Sequence, residues 1–300
     1  MSGPSSWRAM PDGTVSWRQL WDETAALHGR PQARWLCEEA SGAFGDEFQG
    51  VLAEPATERQ VAHLDAMLMR LQGGEPLQYV LGHWSFRTLD LLVDRRVLIP
   101  RPETEWVAGA AIDAVRDLLR ESGERPIVVA DLGTGSGAIG LSLAAELPRG
   151  SVEVWLTDLS QDALDVGRAN AAGLGMAAAG VRFGHGPWFT ALPERLQGTL
   201  ALVVSNPPYI SHDDERVEQS VREWEPAGAL FAADNGLADV RTIAEGAAEW
   251  LRPGGRLVLE IGSGQGLAVC ELLLGAGLVD VEVRPDLAGH DRLALGRREN

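Results

Sequence analysis

From residue 16 to residue 73 the apolar positions return every three or four residues, the spacing of helices that bury one face. Trp17, Leu20, Trp21 and Leu27 fall roughly on one stripe, and a second helical segment follows Pro31. Thr57-Glu58-Arg59-Gln60 has the form of a capping box, opening a helix that carries Val61, Leu64, Leu68 and Leu71 on one side. A small helical bundle is expected, with its Trp and Met side chains used for packing. After Gly73-Gly74 and Pro76 the period shortens. Leu89 to Val93 and Arg96 to Ile99 are short β-prone runs around Asp94-Arg95, which predicts a hairpin there. Trp106, Val107, Ala110, Ala114, Val115 and Leu118 then mark a helix. From Ile127 onward apolar runs alternate with helical segments in the doubly wound α/β manner, with strands expected at 126–131, 152–157, 180–184, 200–205, 255–261, 278–284 and 292–297. Ligands of such sheets bind outside the carboxyl ends of the strands.

The 300 residues are 45% hydrophobic, enough for one large α/β domain and a small second one. A formal net charge of −17 repels polyphosphate, and no local basic face relieves it, so direct nucleic-acid binding is not expected. Every basic side chain apart from histidine is an arginine, which removes P-loop and Schiff-base lysine chemistry. Cys37 and Cys270 lack any C-x-x-C partner, so neither a disulfide nor a zinc framework is expected, and a reducing cytoplasm fits. Met1 to Val15 is polar and reads as no secretory leader. The apolar stretch Leu267 to Val279 contains Glu271 and is too short for a membrane span.

Two loops carry the candidate chemistry. Directly after the apolar run Leu200 to Ser205 stands Asn206-Pro207-Pro208-Tyr209. Its prolines fix φ and donate no hydrogen bond, so the loop can present the Asn206 side-chain oxygen and the Pro207 carbonyl as acceptors beside the flat ring of Tyr209. Such a site suits an amide or an exocyclic amine; taken alone, the tetrapeptide is equally an ordinary turn. Upstream, Asp131-Leu132-Gly133-Thr134-Gly135-Ser136-Gly137 joins a strand to a helix, and Asp158 closes the next strand, where its carboxylate could accept both hydroxyls of a ribose. Gly133, Gly135 and Ala138 with a later acid also fit a dinucleotide fold. Asp131 favours a ligand carrying an ammonium over one carrying a pyrophosphate, and hydride transfer has no use for Asn-Pro-Pro-Tyr. A nucleotide site beside an amine acceptor therefore points to S-adenosylmethionine and methyl transfer to nitrogen.

Three further clusters read as bland. His212-Asp213-Asp214-Glu215 looks like a metal site but is expected to be a solvated acidic loop, and no metal is expected. Gly262-Ser263-Gly264-Gln265-Gly266 reads as a strand-to-helix turn. Gly289-His290-Asp291-Arg292 reads as a structural turn before the last strand.

Together these segments resemble the glutamine-N5 methyltransferases that modify peptide chain release factors, the HemK/PrmC family. The resemblance extends over nearly the whole chain: Gly74-Glu75-Pro76-Leu77-Gln78-Tyr79-Val80-Leu81-Gly82, then Phe86, Leu98-Ile99-Pro100-Arg101-Pro102-Glu103-Thr104-Glu105, Asp131 to Gly137, Asn206 to Ile210, Glu225-Pro226 with Ala229-Leu230, and Asp234 to Leu237. The glycine loop and Asn-Pro-Pro-Tyr are shared by many methyltransferases, whereas Ile-Pro-Arg-Pro-Glu-Thr-Glu is far more specific. The resemblance implies an N-terminal helical domain over residues 1–82 that recognises the release factor, a β-hairpin linker over 83–103, and a Rossmann-like class I methyltransferase domain with a seven-stranded mixed sheet over 104–300. It implies S-adenosylmethionine as cofactor, held by Asp131, Gly133, Thr134, Gly135, Gly137, Asp158, Trp188 and Asn206. It implies the glutamine of a Gly-Gly-Gln loop as substrate, bound by Asn206, Pro207, Pro208 and Tyr209, with Asn206, Pro207 and Tyr209 catalytic. Glu105 and Thr104 would border the methionine end of the cofactor, against a plain N-cap reading for Thr104. Where the family often has acidic residues near the adenine and at the start of the fourth strand, this chain reads His185-Gly186-Pro187-Trp188-Phe189 and Ala201, so no carboxylate partner for the adenine amine is assigned. An adenine-N6 methyltransferase of nucleic acid shares the Asn-Pro-Pro-Tyr logic but needs a basic groove. A non-catalytic, cofactor-binding adaptor docking through residues 16–73 is the alternative from another class.

Overall fold

The computed structural model describes residues 14–300, so most of the polar Met1 to Val15 segment lies outside the described residues. The chain divides into two compact units, meeting at Gly82 and His83. The first holds helices α1 (Trp17–His28), α2 (Arg30–Ser41), α3 (Asp46–Val51), α4 (Glu58–Gln72) and α5 (Leu77–Leu81). The expected capping box opens α4, with Thr57 Oγ1 accepting from Gln60 N at 3.3 Å and Gln60 Oε1 accepting from Thr57 N at 3.0 Å. Ser16 and Gln19 cap α1 in the same reciprocal way. Trp17, Leu20, Leu36, Phe48, Leu64 and Met67 form the core, with Trp17 and Trp21 edge-on to Phe48. Leu27, in the last turn of α1, leaves the expected stripe and is 72% exposed. Packing does not absorb all the large side chains either, since Trp35 and Met69 are also exposed.

The second unit starts with the hairpin, which forms one strand earlier than its sequence suggests. β1 (His83–Phe86) pairs with β2 (Leu89–Leu92), turning at Arg87 and Thr88, while residues 96–99 have no strand partner. Phe86, Leu89 and Leu91 are the side chains that reach the core. Arg87 takes a left-handed φ of 53° at the turn, its N–H donates to Glu105 Oε1, and its guanidinium forks onto Glu146 at 2.7 and 2.8 Å. Asp94 instead caps a tight turn, accepting from Arg96 N and bonding the Arg96 guanidinium.

α6 (Pro102–Ser122) buries Val107, Ala111, Val115 and Leu118, whereas Trp106, expected on that face, is 51% exposed. β3 (Ile127–Leu132), α7 (Ala138–Glu146), β4 (Val152–Asp158), α8 (Gln161–Gly173), β5 (Val181–His185) and β6 (Leu200–Ser205) follow. Past a short excursion containing β7 (Ile210–Ser211), α9 (Gln219–Trp224), α10 (Ala227–Leu230), β8 (Phe231–Ala232) and the single turn α11 (Ala233–Gly236), the chain resumes with α12 (Ala238–Trp250) and β9 (Leu251–Glu260). α13 (Gly266–Gly275), β10 (Leu278–Pro285) and β11 (Asp291–Arg298) complete it. Seven strands make one mixed sheet in the order β10-β11-β9-β6-β3-β4-β5. β5, β4, β3, β6 and β9 run parallel, and β11 is inserted antiparallel between β9 and β10. This is the class I methyltransferase sheet expected from the sequence. Its central strands are buried on both faces, which is why they read as unbroken apolar runs. The carboxyl ends of β3, β4 and β6 lie side by side, so their loops converge on one rim.

Candidate active site

Those loops border a cavity of about 550 Å³ whose lining includes Asp131, Gly133, Thr134, Asp158, Trp188 and Asn206. The glycine loop turns so sharply because Gly137, the N-cap of α7, sits at φ 87°, where a Cβ would also come within 2.8 Å of Leu141 Cδ1. Gly137 thus shapes the loop without lining the cavity. Asp131, at the end of β3, is 1% exposed and braces the same loop. Its Oδ2 accepts from Thr134 Oγ1 at 2.6 Å and from Gly140 N at 2.9 Å. Burial pushes this carboxyl up to about 6 against the pull of those two bonds, with nearby Asp158 adding to the rise. Asp158 accepts from Gly135 N at 2.9 Å and from Ser160 N at 2.8 Å, so it too holds the glycine turn in place. Burial raises its carboxyl as well, opposed by backbone donors.

Trp188 closes one side. It follows Pro187 in a left-handed conformation, φ 46°, and its ring covers the glycine loop closely enough that a Cβ on Gly133 would lie 3.3 Å from Cζ3. It shares the cavity lining with Asp239 of α12, a carboxyl that the sequence does not single out and that burial raises while Trp188 lowers it.

The Asn-Pro-Pro-Tyr loop also reaches the cavity. Asn206 and Pro208 line the cavity, Pro207 is buried, and Tyr209 turns its hydroxyl inward to donate to Glu260 Oε1 at 3.2 Å. Burial and the Glu260 charge push the Tyr209 phenol up, so it is neutral at physiological pH. Asn206 Nδ2 donates to Thr104 Oγ1 at 3.2 Å, which leaves Asn206 Oδ1 as the free acceptor of the carboxamide. Thr104 lies inside α6 rather than at its N-cap, which is Arg101, and its hydroxyl donates to Glu260 Oε2 at 2.7 Å. The N-cap reading is therefore corrected: Thr104 borders the cavity. Glu105 points the other way, to the hairpin turn.

Three residues support the site in roles that the sequence does not assign. Glu260, the last residue of β9, gathers Thr104 and Tyr209. Gln265 donates to the Tyr209 carbonyl at 3.1 Å and accepts from Gly262 N at 2.8 Å, so the glycine turn after β9 braces the loop from behind. Glu225, almost fully buried, accepts from Ile99 N at 3.1 Å and from Arg101 Nη2 at 2.5 Å, clasping the 96–100 wall of the cavity to the 226–229 wall. A lone acid flanked by apolar neighbours was the only available signal for Glu260.

The remaining clusters do not join this site. Asp214 is held by Arg216 at 2.7 Å and His212 stacks on Phe231, and no group of three metal-ligating side chains occurs among the described residues. Arg292 of the closing turn approaches Asp286 and donates to the Ile261 carbonyl at 3.4 Å. Cys37 and Cys270 are free thiols, the first buried and pushed up to about 12. No helix among the described residues is long and apolar enough to cross a membrane.

Residues 109–235 match the family model described as the methyltransferase small domain. A release factor glutamine methyltransferase of Neisseria gonorrhoeae is 43% identical over 234 residues, covering 78% of this chain and 80% of that protein. The Escherichia coli protein of the same name is 39% identical over 269 residues, covering 89% and 92%. Among solved structures, a methyltransferase from Pyrococcus furiosus shares the fold at a TM-score of 0.50 and 17% identity, covering 78% of this chain and 99% of that one. At such identity over more than three quarters of both lengths, the chain belongs to the family of release factor glutamine methyltransferases.

Proposed function

We propose that this chain methylates the side-chain amide nitrogen of the glutamine in the Gly-Gly-Gln loop of a peptide chain release factor, with S-adenosylmethionine as donor. The observation that carries this reading is the Asn206 carboxamide, held by its nitrogen so that its oxygen stays free on the rim of a nucleotide-sized cavity. The residues present fit that donor: a buried carboxyl at Asp131 suits an ammonium, Asp158 suits a ribose diol, and the Trp188 ring suits a flat base. When bound, S-adenosylmethionine supplies an electrophilic methyl group. Gly133, Thr134, Gly135 and Gly137 shape the loop that would receive it.

An amide nitrogen is a weak nucleophile because its lone pair is delocalised into the carbonyl, so positioning must supply most of the catalysis. Asn206 Oδ1 and the Pro207 carbonyl each accept one N–H of the substrate amide. As that nitrogen turns pyramidal and gains positive charge, both preorganised oxygens bind it more strongly, the cationic counterpart of an oxyanion hole. The N-alkylated amide cation is acidic enough to lose its proton to water without a strong base. Pro208 and the Tyr209 ring confine the amide. The N-terminal helical unit, residues 1–82, recognises the release factor, and such a substrate places the reaction in the cytoplasm.

The reading is tested by incubating the protein with labelled S-adenosylmethionine, a release factor and a duplex oligonucleotide, then locating the methyl group by mass spectrometry. Label on the glutamine is expected; label on the oligonucleotide alone overturns it in favour of adenine chemistry. For the cofactor site, Asp158→Ala removes a charged acceptor and the brace on Gly135. Calorimetry with S-adenosylhomocysteine is expected to show affinity weakened by about ten- to a hundredfold, the worth of one or two charge-assisted hydrogen bonds. An unchanged dissociation constant would remove Asp158 from the site.

A further inference from the structure

Glu260 is an unexpected residue at its position. It ends β9 between Leu259 and Ile261, both fully buried, and is itself 1% exposed. Burying a carboxylate is costly unless it is paired, and no arginine among the described residues forms an ion pair with this one. Arg292 contributes charge from nearby, but its contacts run to the Ile261 carbonyl and Asp286. What Glu260 does hold is the hydroxyls of Thr104 and Tyr209, one on each oxygen.

The direction of these bonds matters more than their number. A carboxylate only accepts, so Thr104 must spend its single hydroxyl hydrogen on Glu260. Its oxygen then faces Asn206 with lone pairs alone, and only the NH₂ end of the Asn206 carboxamide can meet it. The acid at 260 thereby selects which end of the cavity-lining Asn206 is engaged and which is left free. A neutral amide at 260 would break that order: its own NH₂ could donate to Thr104, freeing the Thr104 hydrogen for Asn206 Oδ1 and allowing the carboxamide to flip.

We propose that Glu260 is a positioning residue which, through Thr104, keeps Asn206 Oδ1 turned toward the substrate amide and, through Tyr209, anchors the far end of the same loop. The proposal rests on the reading of Asn206 as the amide acceptor. It has a pH signature, because protonation converts Glu260 from an acceptor into a donor. Burial pushes this carboxyl up to about 7, opposed by the Thr104 and Tyr209 bonds and by Arg292, and assisted by Glu103. The ordered, ionised form is thus complete above that pH and is lost as pH falls through it, so turnover carries an acid limb there.

The test compares Glu260→Gln, Thr104→Val, Thr104→Ser and Asn206→Ala by turnover against pH with a release factor substrate, and by calorimetric affinity for S-adenosylhomocysteine. Glu260→Gln is expected to lower kcat roughly ten- to a hundredfold at alkaline pH, the scale of a misplaced reacting group, and to lose the acid limb, with S-adenosylhomocysteine affinity unchanged. Thr104→Ser should restore near-normal turnover and Thr104→Val should match Glu260→Gln. Adding Thr104→Val to Asn206→Ala should cost nothing more. Wild-type kcat with an intact acid limb in Glu260→Gln overturns the proposal, as do Thr104 and Asn206 losses that multiply in the double variant. Normal turnover by Asn206→Ala would instead overturn the underlying reading of the site.

Discussion

Asn206→Ala is expected to slow methyl transfer by roughly 10²–10³, the loss found when one preorganised group facing developing charge is removed. The side chain being deleted makes a single hydrogen bond to the protein, from Nδ2 to Thr104. Its removal therefore leaves the fold nearly untouched, while the free acceptor of a cavity-lining carboxamide is lost. The loss should fall on kcat rather than on KM, since the interaction strengthens as the substrate nitrogen becomes cationic. Stopped or quenched single-turnover assays with saturating release factor separate the two. A variant that binds S-adenosylhomocysteine normally and turns over at the wild-type rate would exclude Asn206 from the chemistry.

The second large effect is expected at a residue that touches no substrate. Gly236 closes a turn in which Asp234, Asn235 and Gly236 are all left-handed, with Gly236 at φ 84°. A Cβ there would overlap the Tyr209 carbonyl oxygen, which is also the acceptor of Gln265 Nε2. Gly236→Ala must therefore displace backbone rather than a pliable side chain, and the backbone it meets is the Asn-Pro-Pro-Tyr loop. A shift of that loop by about 1 Å is expected to cost about 10² in kcat. The glycine loop is braced separately by Asp131 and Asp158, so S-adenosylhomocysteine affinity should survive. Retained kcat in Gly236→Ala would show that the loop tolerates movement.

The sheet was legible because strands buried on both faces leave long apolar runs, and Leu200 to Ser205 was placed to the residue. The hairpin was not, because Leu89 to Val93 and Arg96 to Ile99 look alike as β-prone runs; what separates them is a turn at Arg87 stabilised by Glu105 and Glu146, far along the chain. Trp106 and Leu27 obey helical periodicity yet face outward, since periodicity assigns a face and not a neighbour. In the site, residues that reach the cavity from strand ends were found from their motifs. The supports were missed for one common reason: Glu260, Gln265 and Glu225 acquire meaning only from partners brought in by the fold, Thr104 for the first, Tyr209 for the second and Ile99 for the third.

The Glu225 clasp has a consequence for biosynthesis. Synthesis proceeds from the N-terminus, so Ile99 and Arg101 exist well before the acid that secures them. A nascent chain that stops short of Glu225 lacks this latch, and it also lacks β9 to β11, so neither the rim of the cavity nor the sheet beneath it is complete. The rim of the cavity thus waits for the excursion after β6 to be translated, and the sheet under it for the three strands that follow.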